Sequence, residues 1–206
     1  MNVERALRIA AVVLAAGRSS RMGEPKQLLP VDGRASLELV LESLRAAGVD
    51  EVVLVLGFAA EEIRRQIAPE SFEGVRVVVN PRFEEGMAGS LREGLSALRE
   101  NADAALIVLA DQPLVRSGTM DRTVEKFRAG GGGIVIPTYK GKRGNPVLLG
   151  REIFAEAMAL TGDTGCRAIF AEHASRIVEV EVDDPGILQD MDTREDYERL
   201  RDGVRS

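Results

Sequence analysis

Residues 9–16, IAAVVLAA, are eight small and apolar side chains in unbroken succession. A run that short and that apolar suits one strand buried on both faces. It breaks at Gly17 into a loop carrying Gly17, Ser19, Ser20 and Gly23, together with the cations Arg18, Arg21 and Lys26. Small residues let backbone approach a ligand closely, and glycine permits the turns that aim successive N–H groups inward. Arginine and lysine add charge that amides lack. A buried strand opening into such a loop forces a sheet with an anion cradle at its rim, suited to a polyphosphate.

Three other readings of this stretch fail on spacing. A P-loop needs G-x-x-x-x-G-K-[ST], but five residues separate Gly17 from Gly23, and Lys26 follows Glu24-Pro25. The dinucleotide pattern G-x-G-x-x-G is absent. A secretory leader would use Arg5 and Arg8 before the apolar run, but the run is at the short limit and Glu4 lies in the basic region.

Further along, apolar runs alternate with helical periodicity. Ser36 opens a helix whose Leu37, Val40, Leu41 and Leu44 share a face, with Gly48 at its expected C-cap. Strands are expected over 51–56, 75–79 and 104–109, and helices over 59–67, 89–100 and 117–129. Gly130–Gly133 reads as a turn. Later come strands over 134–137, 146–149 and 177–182 and a helix over 152–160. A shorter helix over 164–172 is expected, capped by Asp163 or Thr164. Thr193 with Asp196 forms a capping-box pattern before a last helix, whose buried stripe is Tyr197, Leu200 and Val204. No repeat or linker divides the chain, so residues 1–206 are expected to form one domain. The alternation predicts an α/β, doubly wound, mostly parallel sheet with a small antiparallel excursion in the C-terminal third. Ligands of such sheets bind beyond the carboxyl ends of strands. The Gly17 loop and Asp111, which follows LIVLA directly, are therefore expected on one rim.

Composition narrows the partners. Acids outnumber bases 33 to 27 and there is no Trp, so neither the basic stripe nor the stacking platform of a nucleic-acid binder is expected. No run approaches bilayer-spanning length. Cys166 is the single cysteine, which excludes an internal disulfide and fits a cytoplasmic protein. The single histidine, His173, lies in an exposed-looking AEHAS stretch and reads as structural. Nothing suggests a Ser-His-Asp or Cys-His nucleophile.

Asp111 at a strand end beside a triphosphate suits Mg²⁺, with the alternative of a turn-forming Asp before Pro113. Asp190 and Asp192 offer a second carboxylate. Arg21 and Lys26 suit a pyrophosphate, or otherwise are solvated loop cations. Arg143 and Arg167, each among glycines, suit a phosphate or heterocycle edge, or surface ion pairs. Gly86, Gly89 and Ser90 suit a base or ribose, with Ser90 at or near a helix cap.

LAAGRSSRMGEPKQLLP resembles the nucleotide-binding loop of the MobA-like nucleotidyltransferases, and most of all the molybdenum cofactor cytidylyltransferases. Five later segments resemble the family in order: Asn80-Pro81 with 86–95, LADQP at 109–113, GKRGNPV at 141–147, GDTGCR at 162–167 and DMDTRED at 190–196. The family often carries His where this chain has Asn145. The resemblance implies a Rossmann-like nucleotidyltransferase fold and transfer of CMP from CTP to the terminal phosphate of a molybdopterin-type cofactor. GTP, a sugar phosphate acceptor, or a non-catalytic cofactor chaperone are the alternatives. It implies nucleotide contacts at Leu14, Ala15, Ala16, Gly17, Ser19, Ser20, Arg21, Lys26, Asn80, Gly86, Met87, Gly89, Ser90 and Asp111. Acceptor contacts are implied at Gln112, Pro113, Arg143, Gly144, Asp163, Gly165 and Arg167. Lys26, Arg21 and Asp111 are implied as catalytic, and Asp111 with Asp190 as the Mg²⁺ ligands, Asp192 instead capping the last helix. Ala15-Ala16-Gly17 goes with cytidine in the family. A molybdenum hydroxylase or its chaperone is the implied recipient.

Overall fold

A computed structural model describes residues 5–19 and 22–204. The strands are β1 (Ile9–Ala15), β2 (Pro30–Val31), β3 (Arg34–Ala35), β4 (Glu51–Leu56), β5 (Val75–Val79), β6 (Ala104–Leu109), β7 (Ile134–Tyr139), β8 (Lys142–Arg143), β9 (Val147–Gly150) and β10 (Ile177–Glu181). The helices are α1 (Ser36–Arg45), α2 (Ala60–Gln66), α3 (Met87–Ser96), α4 (Ser117–Arg128), α5 (Phe154–Ala159) and α6 (Arg194–Val204).

The main sheet runs β10-β7-β9-β6-β1-β4-β5, with β8 on β7. The β1–β4, β1–β6, β4–β5 and β7–β10 pairs are parallel. The antiparallel excursion is β9, inserted between β6 and β7, together with β8. The apolar first strand lies at the centre, with Val13 opposite Leu54 on one side and Val108 on the other.

Alternation along β1 divides two cores. Ile9, Ala11 and Val13 face α1, α2 and α4 through Leu37, Leu41, Ile63, Met120 and Val124. Val12 faces α3 and α5 through Leu91, Leu95, Phe154 and Ala157. α3 comes so close to β1 that a Cβ on Gly94 would stand 2.3 Å from Val12 Cγ1. A third cluster of Leu29, Val31, Met191, Tyr197 and Leu200 clamps α6 onto the β2–β3 hairpin, and Tyr197 Oη donates to the Pro30 carbonyl at 2.8 Å.

Several expectations need correction. α3 starts at Met87, two residues earlier than the spacing suggests, so Ser90 lies inside the first turns and caps nothing. α1 ends at Arg45 with Ala46 right-handed as its cap, and Gly48 belongs to the following turn. Residues 166–169 make a 3₁₀ turn without a side-chain cap, where a longer capped helix was expected. His173 is half-buried and bonded to Glu156 at 2.6 Å. Thr193 and Asp196 do form the reciprocal cap of α6: Asp196 N–H donates to Thr193 Oγ1 at 3.1 Å and Thr193 N–H to Asp196 Oδ2 at 2.9 Å. Asp192 is thus not the cap. The Val204 side chain lies outside the described residues. Among those described, no helix is long and apolar enough to cross a membrane.

Candidate functional site

The chain runs from β1 through β4 to β5, then returns to place β6 on the other side of β1. The carboxyl ends of β1 and β6 therefore flank the point where strand order reverses, where open α/β sheets leave a crevice. Backbone pairing continues past both strands, with Ala110 N–H donating to Leu14 O at 3.1 Å. The Gly17 loop and Asp111 thereby share one mouth.

The loop after β1 folds on itself. Ser19 has φ 52° and its Oγ accepts from Lys26 N–H at 3.1 Å. Lys26 begins a 3₁₀ turn, Lys26–Leu28, anchored by Ser36 Oγ donating to the Lys26 carbonyl at 2.7 Å. Its side chain reaches across the mouth. Nζ donates to Asp111 Oδ2 at 2.6 Å and to Asp192 Oδ1 at 3.1 Å. Burial alone would lower the Lys26 pKa, but the two carboxylates outweigh it and the net shift is upward. Next to Lys26, Gln27 is fully buried and its Nε2 donates to the Ala15 carbonyl at 2.7 Å.

Opposite stands a wall of three aspartates. Met191 N–H donates to the Asp111 carbonyl at 2.9 Å, and the Met191 side chain is wholly buried in the third cluster. Its burial contributes roughly 2 kcal/mol and fixes Asp190 and Asp192 on either side. Gln112, itself buried, donates Nε2 to Asp190 Oδ1 at 2.6 Å. Burial and then the charge of Asp111 raise the Asp190 pKa, opposed by the Gln112 bond. Asp111 Oδ1 is buried without a hydrogen-bond partner among the described residues.

The resulting cleft holds about 490 Å³. Leu14, Gly17, Ser19, Lys26 and Met87 line it together with Asp111, Asp190 and Asp192, and with Asp163, Gly165 and Arg167. A connected lobe of about 440 Å³ adds Ala15, Ala16, Gly86 and Ser90. The start of α3 meets the loop at 162–165 at Gly86, whose φ is 103°. A Cβ there would meet the Gly162 carbonyl carbon at 2.3 Å, and Gly162 O receives the Ala88 N–H at 3.1 Å. The α3 N-terminus is thus held by the loop that carries Asp163 and Gly165.

Not every expected residue reaches the cleft. Asn80 is buried behind it, donating Nδ2 to Ser90 Oγ at 3.1 Å, and Gly89 packs near it. Gln112 and Pro113 are buried beneath the mouth; Gln112 acts through Asp190. Arg143 is exposed on β8, paired with Glu179 at 2.7 Å, because the hairpin turns it towards β10. Gly144 is packed against Ile187. Ser20 and Arg21 lie outside the described residues. Sequence reasoning missed Gln27 and Asn145, the latter lining the cleft just before a cis peptide to Pro146, and it gave no site role to Cys166, which also lines it. The departure from the family's His at position 145 was the available signal for Asn145.

Three carboxylates around one mouth are hard oxygen donors, and the orphaned Asp111 oxygen suits a divalent cation. Among the described residues no three-ligand cage is preassembled. A hard ion that takes one or two carboxylates and completes its shell with water and phosphate could be held by Asp111 and Asp190.

This mostly parallel sheet, with its loop and acid wall at the switch point, is a Rossmann-like nucleotidyltransferase fold. The chain belongs to the MobA-like NTP transferase domain family, whose model matches residues 11–177. It is 31% identical over 201 residues to nicotine blue oxidoreductase of Paenarthrobacter nicotinovorans, covering 93% of this chain and 96% of that one. It is 24% identical over 191 residues to molybdenum cofactor cytidylyltransferase of Escherichia coli K12, covering 92% and 93%. Among solved structures it is similar to Rv0371c of Mycobacterium tuberculosis H37Rv in its complex with manganese, at TM-score 0.77 and 33% identity over 96% of this chain and 100% of that one.

Proposed function

We propose that the protein transfers CMP from CTP to the terminal phosphate of a molybdopterin-type cofactor and releases pyrophosphate. The carrying observation is the Lys26–Asp111 contact at 2.6 Å in the mouth that the Gly17 loop also lines. It brings a phosphate-seeking cation and a metal-seeking carboxylate to one point.

The acceptor's phosphate oxygen attacks the α-phosphorus. One P–O bond forms as the bond to the bridging oxygen of the pyrophosphate breaks, and pyrophosphate departs in line. The barrier is one of positioning and charge. The Gly17 loop cradles the triphosphate, with Leu14, Ala15 and Ala16 at the base side. Lys26 neutralises the phosphate charge, assisted by Arg21. Asp111 and Asp190 would hold Mg²⁺, which supplies charge neutralisation at the phosphates when bound. Gln112 orients Asp190. Arg167, which also lines the cleft, takes the acceptor's phosphate, with Asp163 and Gly165 shaping its seat and Asn145 replacing Arg143 there. The cytidine preference rests on Ala15-Ala16-Gly17 and on the name of the Escherichia coli relative. The product would pass to a molybdenum hydroxylase or its chaperone, in a cytoplasmic setting.

The Paenarthrobacter relative supports a second reading, an oxidoreductase acting on nicotine blue in the same cleft. One experiment separates them. The protein is incubated with Mg²⁺ and molybdopterin-type cofactor plus CTP or GTP, or with a reduced nicotinamide and nicotine blue. CTP-dependent pyrophosphate release supports the proposal. Release with GTP alone changes the base. Nicotinamide oxidation without pyrophosphate release supports the second reading.

A further inference from the structure

We infer that the Lys26 ammonium is a removable plug in the metal seat, so that the divalent cation enters together with the triphosphate and not ahead of it. This rests on the reading of Asp111 as a metal ligand.

Nζ holds Asp111 Oδ2 at 2.6 Å and Asp192 Oδ1 at 3.1 Å. The contact is sheltered, with the Lys26 and Asp111 side chains 15% and 19% exposed. A hard cation binds a carboxylate oxygen at about 2.0–2.6 Å, so an ion on Oδ2 would sit against the ammonium, charge to charge. The other oxygen gives no way round. Oδ1 is buried and unpartnered among the described residues. Turning it to the cleft means rotating the carboxylate, and that means releasing Nζ. Asp190 is held separately by Gln112, leaving one position of Lys26 to block two of the three aspartates.

What releases Lys26 is a competing polyanion. The lysine stem is flexible and its ammonium a point charge. The Gly17 loop that would hold phosphates lines the same cleft as Lys26. When Nζ moves to a phosphate oxygen, Asp111 and Asp192 lose their counter-ion together, and a divalent ion becomes the favoured replacement. Metal and nucleotide then bind with positive coupling, roughly 5–150-fold by the usual range for linked sites. Without nucleotide the seat stays closed to bare metal.

The test is Mn²⁺ binding followed by electron paramagnetic resonance, with and without CTP and with no acceptor. Wild type, Lys26→Met and Asp111→Asn are compared, with Lys26→Gln as a second variant should the first unfold. Wild type is expected to bind Mn²⁺ at least about tenfold more tightly with CTP present, after correction for Mn²⁺ held by free CTP. Lys26→Met is expected to bind Mn²⁺ without CTP about tenfold more tightly than wild type, with the coupling to CTP largely gone. Unchanged nucleotide-free affinity in both lysine variants overturns the plug. If Asp111→Asn also leaves Mn²⁺ binding with CTP unchanged, the metal assignment falls as well; if it abolishes that binding, the plug alone is wrong.

Discussion

The Asp111 carbonyl accepts the Met191 N–H at 2.9 Å, fastening the turn after β6 to the turn before α6. Two acidic segments far apart in the chain thereby become one wall, and the bond uses main chain only. The Asp111 carboxylate is left for chemistry.

Asp111→Asn should therefore keep the fold while losing function. The main-chain bond and side-chain volume persist, but the charge facing Lys26 does not. Transfer of CMP is expected to fall about 100-fold or more, with circular dichroism unchanged. Near-normal turnover would remove Asp111 from the reaction.

Gly86→Ala should damage the cleft from outside the chemistry. The position combines φ 103° and ψ −179°, a region open almost only to glycine, with a Cβ clash against the Gly162 backbone. A loss of about 2–5 kcal/mol is expected in urea unfolding, together with a raised KM for the acceptor. A variant as stable as the parent would show that α3 and the 162–165 loop are not locked together.

Asp184→Ala tests the support behind the acid wall. Asp184 is buried and accepts from Arg116 N–H at 2.9 Å, Thr119 Oγ1 at 2.6 Å and Gly186 N–H at 3.0 Å. Removal strands three donors and should cost about 3–5 kcal/mol by thermal or chemical unfolding. A loss under about 1 kcal/mol would contradict this burial.

Cys166 gives a pH-dependent prediction. Burial pushes its thiol up to about 12, against a small backbone pull downward. The folded value lies above the ordinary thiol value, so the thiol stabilises the fold fully below that ordinary value. The contribution is lost between it and about pH 12 as the unfolded chain ionises first. Alkylation by iodoacetamide should be slow at pH 8 and rise about tenfold per pH unit without a plateau below pH 11. Fast labelling of the native protein at pH 7.5 would contradict it.

The sheet's centre was legible because β1, β4 and β6 are continuous apolar runs, and the first and third end in residues that no buried strand needs. The join of Gly17 loop to Asp111 followed from that. The start of α3 was not legible, since Gly162, far along the chain, sets it by receiving the Ala88 N–H. Arg143 and Arg167 look alike in sequence, each in a glycine-containing loop segment. Which one faces the cleft depends on β8 bringing Arg143 to Glu179 of β10, a pairing no local pattern carries. The place of β9 between β6 and β7 is hidden for the same reason. Gln27 reads locally as one polar residue after a lysine, and only the fold shows it bonded to Ala15.

The most direct test of the account is a crystal structure with CTP and Mn²⁺, using the anomalous signal to find the ion. The account predicts manganese bound jointly by Asp111 and triphosphate oxygens, the Gly17 loop around the phosphates, and Lys26 Nζ moved from Asp111 to phosphate. Nucleotide bound elsewhere with the Lys26–Asp111 contact intact would contradict it.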